Sequence, residues 1–101
     1  MKKDAQYSLL ATTSYGLFVG FVESYDPLTK VAHVAECRNV RYWYGRTGGI
    51  TSLAVYGLCG TRAAESRIGA AVRGVSTLTE IQNVYPCSDE ARATFESSVQ
   101  K

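Results

Sequence analysis

Apolar residues alternate most cleanly between Tyr15 and Ser24. Tyr15, Leu17, Val19 and Phe21 fall on one face of an extended chain, and Gly16, Phe18, Gly20 and Val22 fall on the other. Both faces are apolar, which predicts a strand covered on both sides. Gly16 and Gly20 share a face and leave room for a backbone or ring to approach. The run Tyr25-Asp26-Pro27-Leu28-Thr29 is a turn signal, with Asp first and Pro next. Lys30 to Cys37 then reads as the return strand of a hairpin. Strict alternation would put Val31, His33, Ala35 and Cys37 on one face and Ala32, Val34 and Glu36 on the other.

Beyond that hairpin the pattern weakens. Val40 to Tyr44 is rich in β-formers and reads as extended, with a short helix as the alternative. Gly45 to Gly49 reads as a loop. Ile50 to Tyr56 suits a short helix by its Leu53, Ala54 and Gly57 spacing, while Val55 and Tyr56 favour a strand, and the pattern does not choose. Arg62 to Arg67 reads as a loop or one helical turn, Ala70 to Leu78 as a strand, and Thr79 to Cys87 as a further strand stopped by Pro86. The strongest helix follows. Ser88 is a good N-cap, Asp89 and Glu90 occupy the first turn, and Ala91, Phe95 and Val99 recur on one face, so the helix should run to about Ser98. Residues 1–14 are weakly patterned. Tyr7, Leu9 and Leu10 could dock as a short strand or turn, and the segment is expected to be loosely ordered. The expected fold is a single α+β domain over residues 1–101, a small antiparallel sheet with a C-terminal helix packed on it, assembling as a homo-oligomer.

Composition changes this picture little. The chain has 101 residues, 46% of them hydrophobic and 20% charged, which is ordinary for one globular domain. The longest apolar run, Gly16 to Val22, is too short to span a bilayer. Lys2 and Lys3 are not followed by the apolar stretch of a signal peptide, so a cytoplasmic protein is expected. Cys37, Cys59 and Cys87 are odd in number and widely spaced, which gives neither a disulfide framework nor a metal motif.

Charge changes it more. Residues 1–36 carry Lys2, Lys3 and Lys30 against Asp4, Glu23, Asp26 and Glu36, a net of −1. Residues 37–79 carry Arg38, Arg41, Arg46, Arg62, Arg67 and Arg73 against Glu65, a net of +5. Residues 80–101 carry Arg92 and Lys101 against Glu80, Asp89, Glu90 and Glu96, a net of −2. Every cation of the central island is arginine, whose planar fork suits bidentate anion recognition or ion pairs between subunits. Arg38 to Gly49 also holds the adjacent aromatics Tyr42, Trp43 and Tyr44, which can stack on bases. As a strand, Val40 to Tyr44 would set Arg41 and Trp43 side by side on one face. Arg41, Arg46, Arg62 and Arg67 are then the candidate phosphate holders, with Arg38 beside them. Trp43 or Tyr42 would stack a base, and Asn39 would read an edge. The competing reading gives Tyr42 and Trp43 to a core or a subunit interface. Acidic flanks and a pI of about 8.5 favour a compact pocket for a small phosphorylated ligand over an extended nucleic-acid surface.

Catalytic signatures are missing. His33, the single histidine, sits mid-strand among apolar residues, where a structural role is expected. No serine lies in a nucleophile elbow, no Walker-type loop is present, and His, Cys and carboxylates do not cluster for a metal. A protein that is not an enzyme and uses no cofactor is expected.

The series Arg38-Asn39-Val40-Arg41-Tyr42-Trp43, Leu53-Ala54-Val55-Tyr56-Gly57, and Ile81 through Cys87-Ser88-Asp89-Glu90-Ala91 resembles a family of small phage and prophage proteins over about residues 15–98. That family is similar in turn to the Thoeris anti-defence sponges, small oligomers that sequester cyclic-ADP-ribose-type immune signals or cyclic oligonucleotides without cleaving them. The resemblance implies that fold and that mode of action in a host cytoplasm, with a small nucleotide-derived ligand and a second copy of the chain as partners. The alternatives are a phage protein–protein interaction or structural module and, behind it, a small nucleic-acid-binding domain.

Overall fold

A computed structural model describes residues 5–13, 16–43, 49–60 and 63–98. The chain is an α+β domain. Its strands are β1 (Gln6–Thr12), β2 (Leu17–Asp26), β3 (Val31–Tyr42), β4 (Arg67–Ile68), β5 (Val75–Leu78) and β6 (Ile81–Pro86). Its helices are α1 (Ile50–Tyr56) and α2 (Asp89–Glu96), with one 3-10 turn at Ala63–Glu65. All strand pairs are antiparallel, in the order β4-β3-β2-β1-β6, and β5 pairs with β3 beyond β4.

The hairpin between β2 and β3 forms where the turn signal predicts. Asp26 accepts the Lys30 amide at its carbonyl, 2.8 Å, and the Leu28 amide at its carboxylate, 2.9 Å. The alternation of β2 also holds, since Leu17, Val19 and Phe21 join one apolar cluster while Phe18 and Val22 join another. At the N-terminal segment, the short strand offered for Tyr7, Leu9 and Leu10 is what forms. Residues 6–12 form β1, hydrogen-bonded between β2 and β6, with Tyr7 to Ala11 all buried. A strand buried on both faces has no polar alternation to reveal it.

The return strand departs from strict alternation at one residue. Glu36 sits at φ 53°, in the left-handed region, where the β2–β3 register slips. This bulge turns Cys37 to the side of Ala32 and Val34, while Ala35 and Val40 face the other cluster. Gly20 lies opposite the bulge, where a Cβ would come within 2.5 Å of Val34 Cγ1 and 2.8 Å of the Ala35 carbonyl oxygen, so both a side chain and the backbone approach closely there.

The sheet curls. In a flat sheet four spacings of about 4.8 Å, roughly 19 Å, would separate β5 from β6. Only Thr79 and Glu80 join them, and three Cα steps reach about 11 Å at most. The Ile81 amide donates to the carbonyl of Lys30, 3.0 Å away, which pins the junction. Leu10, Ala32, Val34, Cys37, Leu78 and Ile81 fill the concave side. Both helices pack on the convex side, where Leu53, Ala54, Ala91 and Phe95 meet Leu9, Val19, Phe21 and Val40. Ser88 caps α2 as predicted, its Oγ accepting the Ala91 amide at 3.0 Å, and it also bonds the Val55 carbonyl at the end of α1. Residues 50–56 resolve as helix, and the expected strand over Ala70–Leu78 is confined to Val75–Leu78. Among the described residues no helix is long and apolar enough to cross a membrane.

Candidate ligand site

The end of β3 carries three of the predicted site residues on alternating sides. Val40 faces the helix-covered cluster, so Asn39 and Arg41 are directed to the opposite side of the sheet. On β4, Ile68 joins that same cluster, which turns Arg67 away from it. The β3–β4 pairing sets Val40 against Ile68 and Tyr42 against Arg67, with a bulge between the two pairs. Arg41 and Arg67 therefore share one end of one face. Both are exposed, and neither has an acidic partner among the described residues. The Asn39 side chain is half-buried and donates from Nδ2 to the Leu17 carbonyl at 3.0 Å, which leaves its amide oxygen to meet a ligand.

Two other residues are held elsewhere. Arg38 points to the convex side and is 8% exposed. Its Nε donates to the Gly69 carbonyl at 2.6 Å and its Nη1 to the Phe95 carbonyl at 2.6 Å. Its Nη2 reaches the carbonyls of Ser98 at 3.0 Å and Ile68 at 3.5 Å. A guanidinium spent on four carbonyls is a scaffold element, tying the end of α2 to β3 and β4, and is not free to fork a phosphate. Trp43 follows the last residue of β3 and packs, half-buried, against the cluster that holds Val40. The expected placement of Trp43 beside Arg41 depends on the strand continuing, and it stops at Tyr42. The Tyr42 side chain, Arg46 and Arg62 lie outside the described residues.

The remaining reactive groups are quiet. His33 Nδ1 lies 3.2 Å from Thr77 Oγ1 across β3 and β5, in an exposed pair. Burial pushes the Cys37 thiol up to about 11 and the Cys87 thiol up to about 12, so both are protonated at neutral pH. Among the described residues no group of His, Cys, Asp and Glu gathers that could hold a metal ion.

Two hollows were not foreseen. One, of about 350 Å³, lies between Leu58, Ala63 and Ser66 and the Thr94–Ser98 end of α2, and its described lining is uncharged. The other, of about 140 Å³, is lined by Tyr7, Glu36, Arg38, Ala71 and Glu96. No sequence pattern marks it, because it forms only where the Glu36 bulge meets the last turn of α2.

The fold and its surface define a small curled-sheet α+β domain, helices on its convex side, with Arg41 and Arg67 exposed at one end of the sheet and without acidic partners among the described residues. The chain belongs to the family described as Domain of unknown function (DUF6948), which it matches over residues 5–95. Neither a curated protein nor a solved structure matches it.

Proposed function

We propose that this protein binds a small, anionic, nucleotide-derived ligand and holds it without transforming it. The observation that carries the reading is the juxtaposition of Arg41 and Arg67 across β3 and β4, exposed and without acidic partners among the described residues. Two guanidinia so placed repel each other and gain from an anion that bridges them. Asn39, on the same face, offers an amide oxygen to a base edge. The resemblance to phage anti-defence sponges adds the biological form of the proposal, sequestration of a cyclic-ADP-ribose-like or cyclic oligonucleotide immune signal by a homo-oligomer in the host cytoplasm.

The test is calorimetry of the intact chain against cyclic ADP-ribose isomers and cyclic di- and trinucleotides, with absorbance of the heat-released supernatant as a check for a co-purified nucleotide. Binding that Arg41→Ala and Arg67→Ala each weaken by about tenfold or more supports the site. No heat with any of these ligands and no released chromophore would sink the proposal.

A second reading draws on a different observation. The segment from Arg67 to Leu78 pairs along β3 and forms the outer edge of the sheet there, and Val72 and Val75 on it are 50% and 49% exposed. Edges of this kind pair with other chains. In that reading the arginines and the edge build a contact with a second copy or a host protein. It predicts that Val72→Lys changes the mass measured by sedimentation while no nucleotide shifts the melting temperature.

A further inference from the structure

The smaller hollow lies on the convex side of the sheet, the face opposite Arg41 and Arg67, and is independent of the proposed nucleotide site. Its floor is Tyr7, which is 3% exposed. The Tyr7 ring is fixed edge-on against Phe21 at 5.0 Å, and the Arg92 guanidinium lies over both rings, 4.6 Å from the Phe21 centroid. The Tyr7 hydroxyl has no hydrogen-bond partner among the described residues, although it sits among the charges of Glu96, Arg38 and Arg92. The hydroxyl oxygen is not sealed off from solvent; it opens on the hollow and can donate to a group bound there. Burial raises its pKa above the ordinary tyrosine value, with Cys87 and Glu96 adding to the shift, so it is a hydrogen-bond donor throughout the neutral range.

Arg38 supplies a second donor beside it. Four of its five N–H groups go to carbonyls, and the second hydrogen of Nη1 remains. Two carboxylates stand at the rim. Glu96 gives Oε1 to Arg92 Nε at 3.0 Å, which holds it in place and leaves Oε2 open. Glu36 is presented by the bulge in a left-handed conformation that a glutamate adopts only at an energetic cost, and such strain gathers at binding sites. The volume of about 140 Å³ exceeds what one water needs and falls short of a drug-sized pocket.

Donors at the floor and carboxylates at the rim select the occupant. A plain anion would meet Glu36 and Glu96, and a plain cation would meet Arg38. We infer that this hollow binds a small zwitterion, its carboxylate on the Tyr7 hydroxyl and Arg38 Nη1 and its ammonium between Glu36 and Glu96. A free α-amino acid is the simplest such molecule.

The test is an NMR titration of the intact chain with glycine, L-alanine, acetate and methylammonium. Glycine or alanine is expected to shift the amide signals of residues 7, 36–38, 71 and 96 saturably, and about tenfold more tightly than acetate or methylammonium. Tyr7→Phe should weaken this binding by about tenfold with the melting temperature held, because the hydroxyl has no partner among the described residues to lose. Glu36→Gly should raise the melting temperature and still weaken binding, a split that a purely structural role does not produce. No saturable shift with either amino acid, equal affinity for acetate or methylammonium, or unchanged binding by Tyr7→Phe would each overturn the inference.

Discussion

Replacing Arg38 by methionine separates an arginine that holds the fold from the exposed arginines of the proposed nucleotide site. Methionine keeps the unbranched stem and its packing, so the change removes chiefly the guanidinium. The lost bonds include two at 2.6 Å, to Gly69 and Phe95, and one at 3.0 Å to Ser98, while the 3.5 Å contact to Ile68 adds little. Hydrogen bonds to charged groups contribute about 1.5–3 kcal/mol each, and a carbonyl left buried without a donor costs about 1–3 kcal/mol. The Phe95 bond is buried and the Ser98 bond only partly so, which lets water recover some of the loss at Ser98. The cation also lies at the carbonyl end of α2, where the helix dipole favours positive charge. Together these give a destabilisation of about 3–5 kcal/mol, the range expected when one member of a buried charged pairing is removed. For a domain of this size that lowers the melting temperature by roughly 12–25 °C. Urea unfolding followed by circular dichroism measures the energy, and amide exchange at residues 95–98 should accelerate. Arg41→Ala and Arg67→Ala, both exposed, should stay within about 0.5 kcal/mol of the parent. A loss below about 1 kcal/mol for Arg38→Met, or an equal loss for Arg41→Ala, would refute the division between scaffold and surface arginines.

Stability should also fall at alkaline pH. The Cys37 and Cys87 thiols ionise near 9 when unfolded and near 11 and 12 when buried, so the unfolded chain loses these protons first and stability drops as pH rises above about 9. With both thiols in that window the slope is about 2.7 kcal/mol per pH unit up to about pH 10, where Cys37→Ala should halve it in urea titrations at stepped pH; above that the buried Tyr7 hydroxyl, also raised by burial, steepens it. Gly57→Ala should destabilise by about 2 kcal/mol or more in the same assay, because the residue sits at φ 72° and an added Cβ would collide with Thr94 and Ala91 of α2.

Legibility in the sequence followed how local each cause is. The β2 alternation, the Asp26-Pro27 turn and the Ser88 cap each depend on neighbours within a few residues, and all three stand in the structure as read. β1 was obscure because it is buried on both faces. α1 was obscure because its seven residues carry no side-chain cap and mix helix and strand formers. The bulge at Glu36 has no signature, since glutamate is not a residue that marks a left-handed backbone, and one such residue reversed the facing of Cys37. For the candidate site, the sequence grouped Arg38 with Arg41, Arg46, Arg62 and Arg67 and gave no sign that Arg38 is bound within the fold. Its carbonyl partners at Phe95 and Ser98 lie 57 and 60 residues away, and only the docking of α2 brings them near.

That difference changes what the arginine island can do. A tally of +5 over residues 37–79 counts Arg38, whose charge is already met by the carbonyl end of α2 and faces the opposite side of the sheet from Arg41. On the Arg41 face the described guanidinia that come together are two, Arg41 and Arg67. Two forks suit a ligand with one or two phosphates, whereas a nucleic acid bound at physiological salt needs several phosphate contacts, on the order of 6–10 in well-studied cases. A small ligand held by this pair would release about two counterions, so its affinity should fall with a log–log salt slope no steeper than about −2. A slope several times steeper, measured by calorimetry across a salt series with the ligand that binds, would place the contact on a broader basic surface and return the protein to the nucleic-acid class.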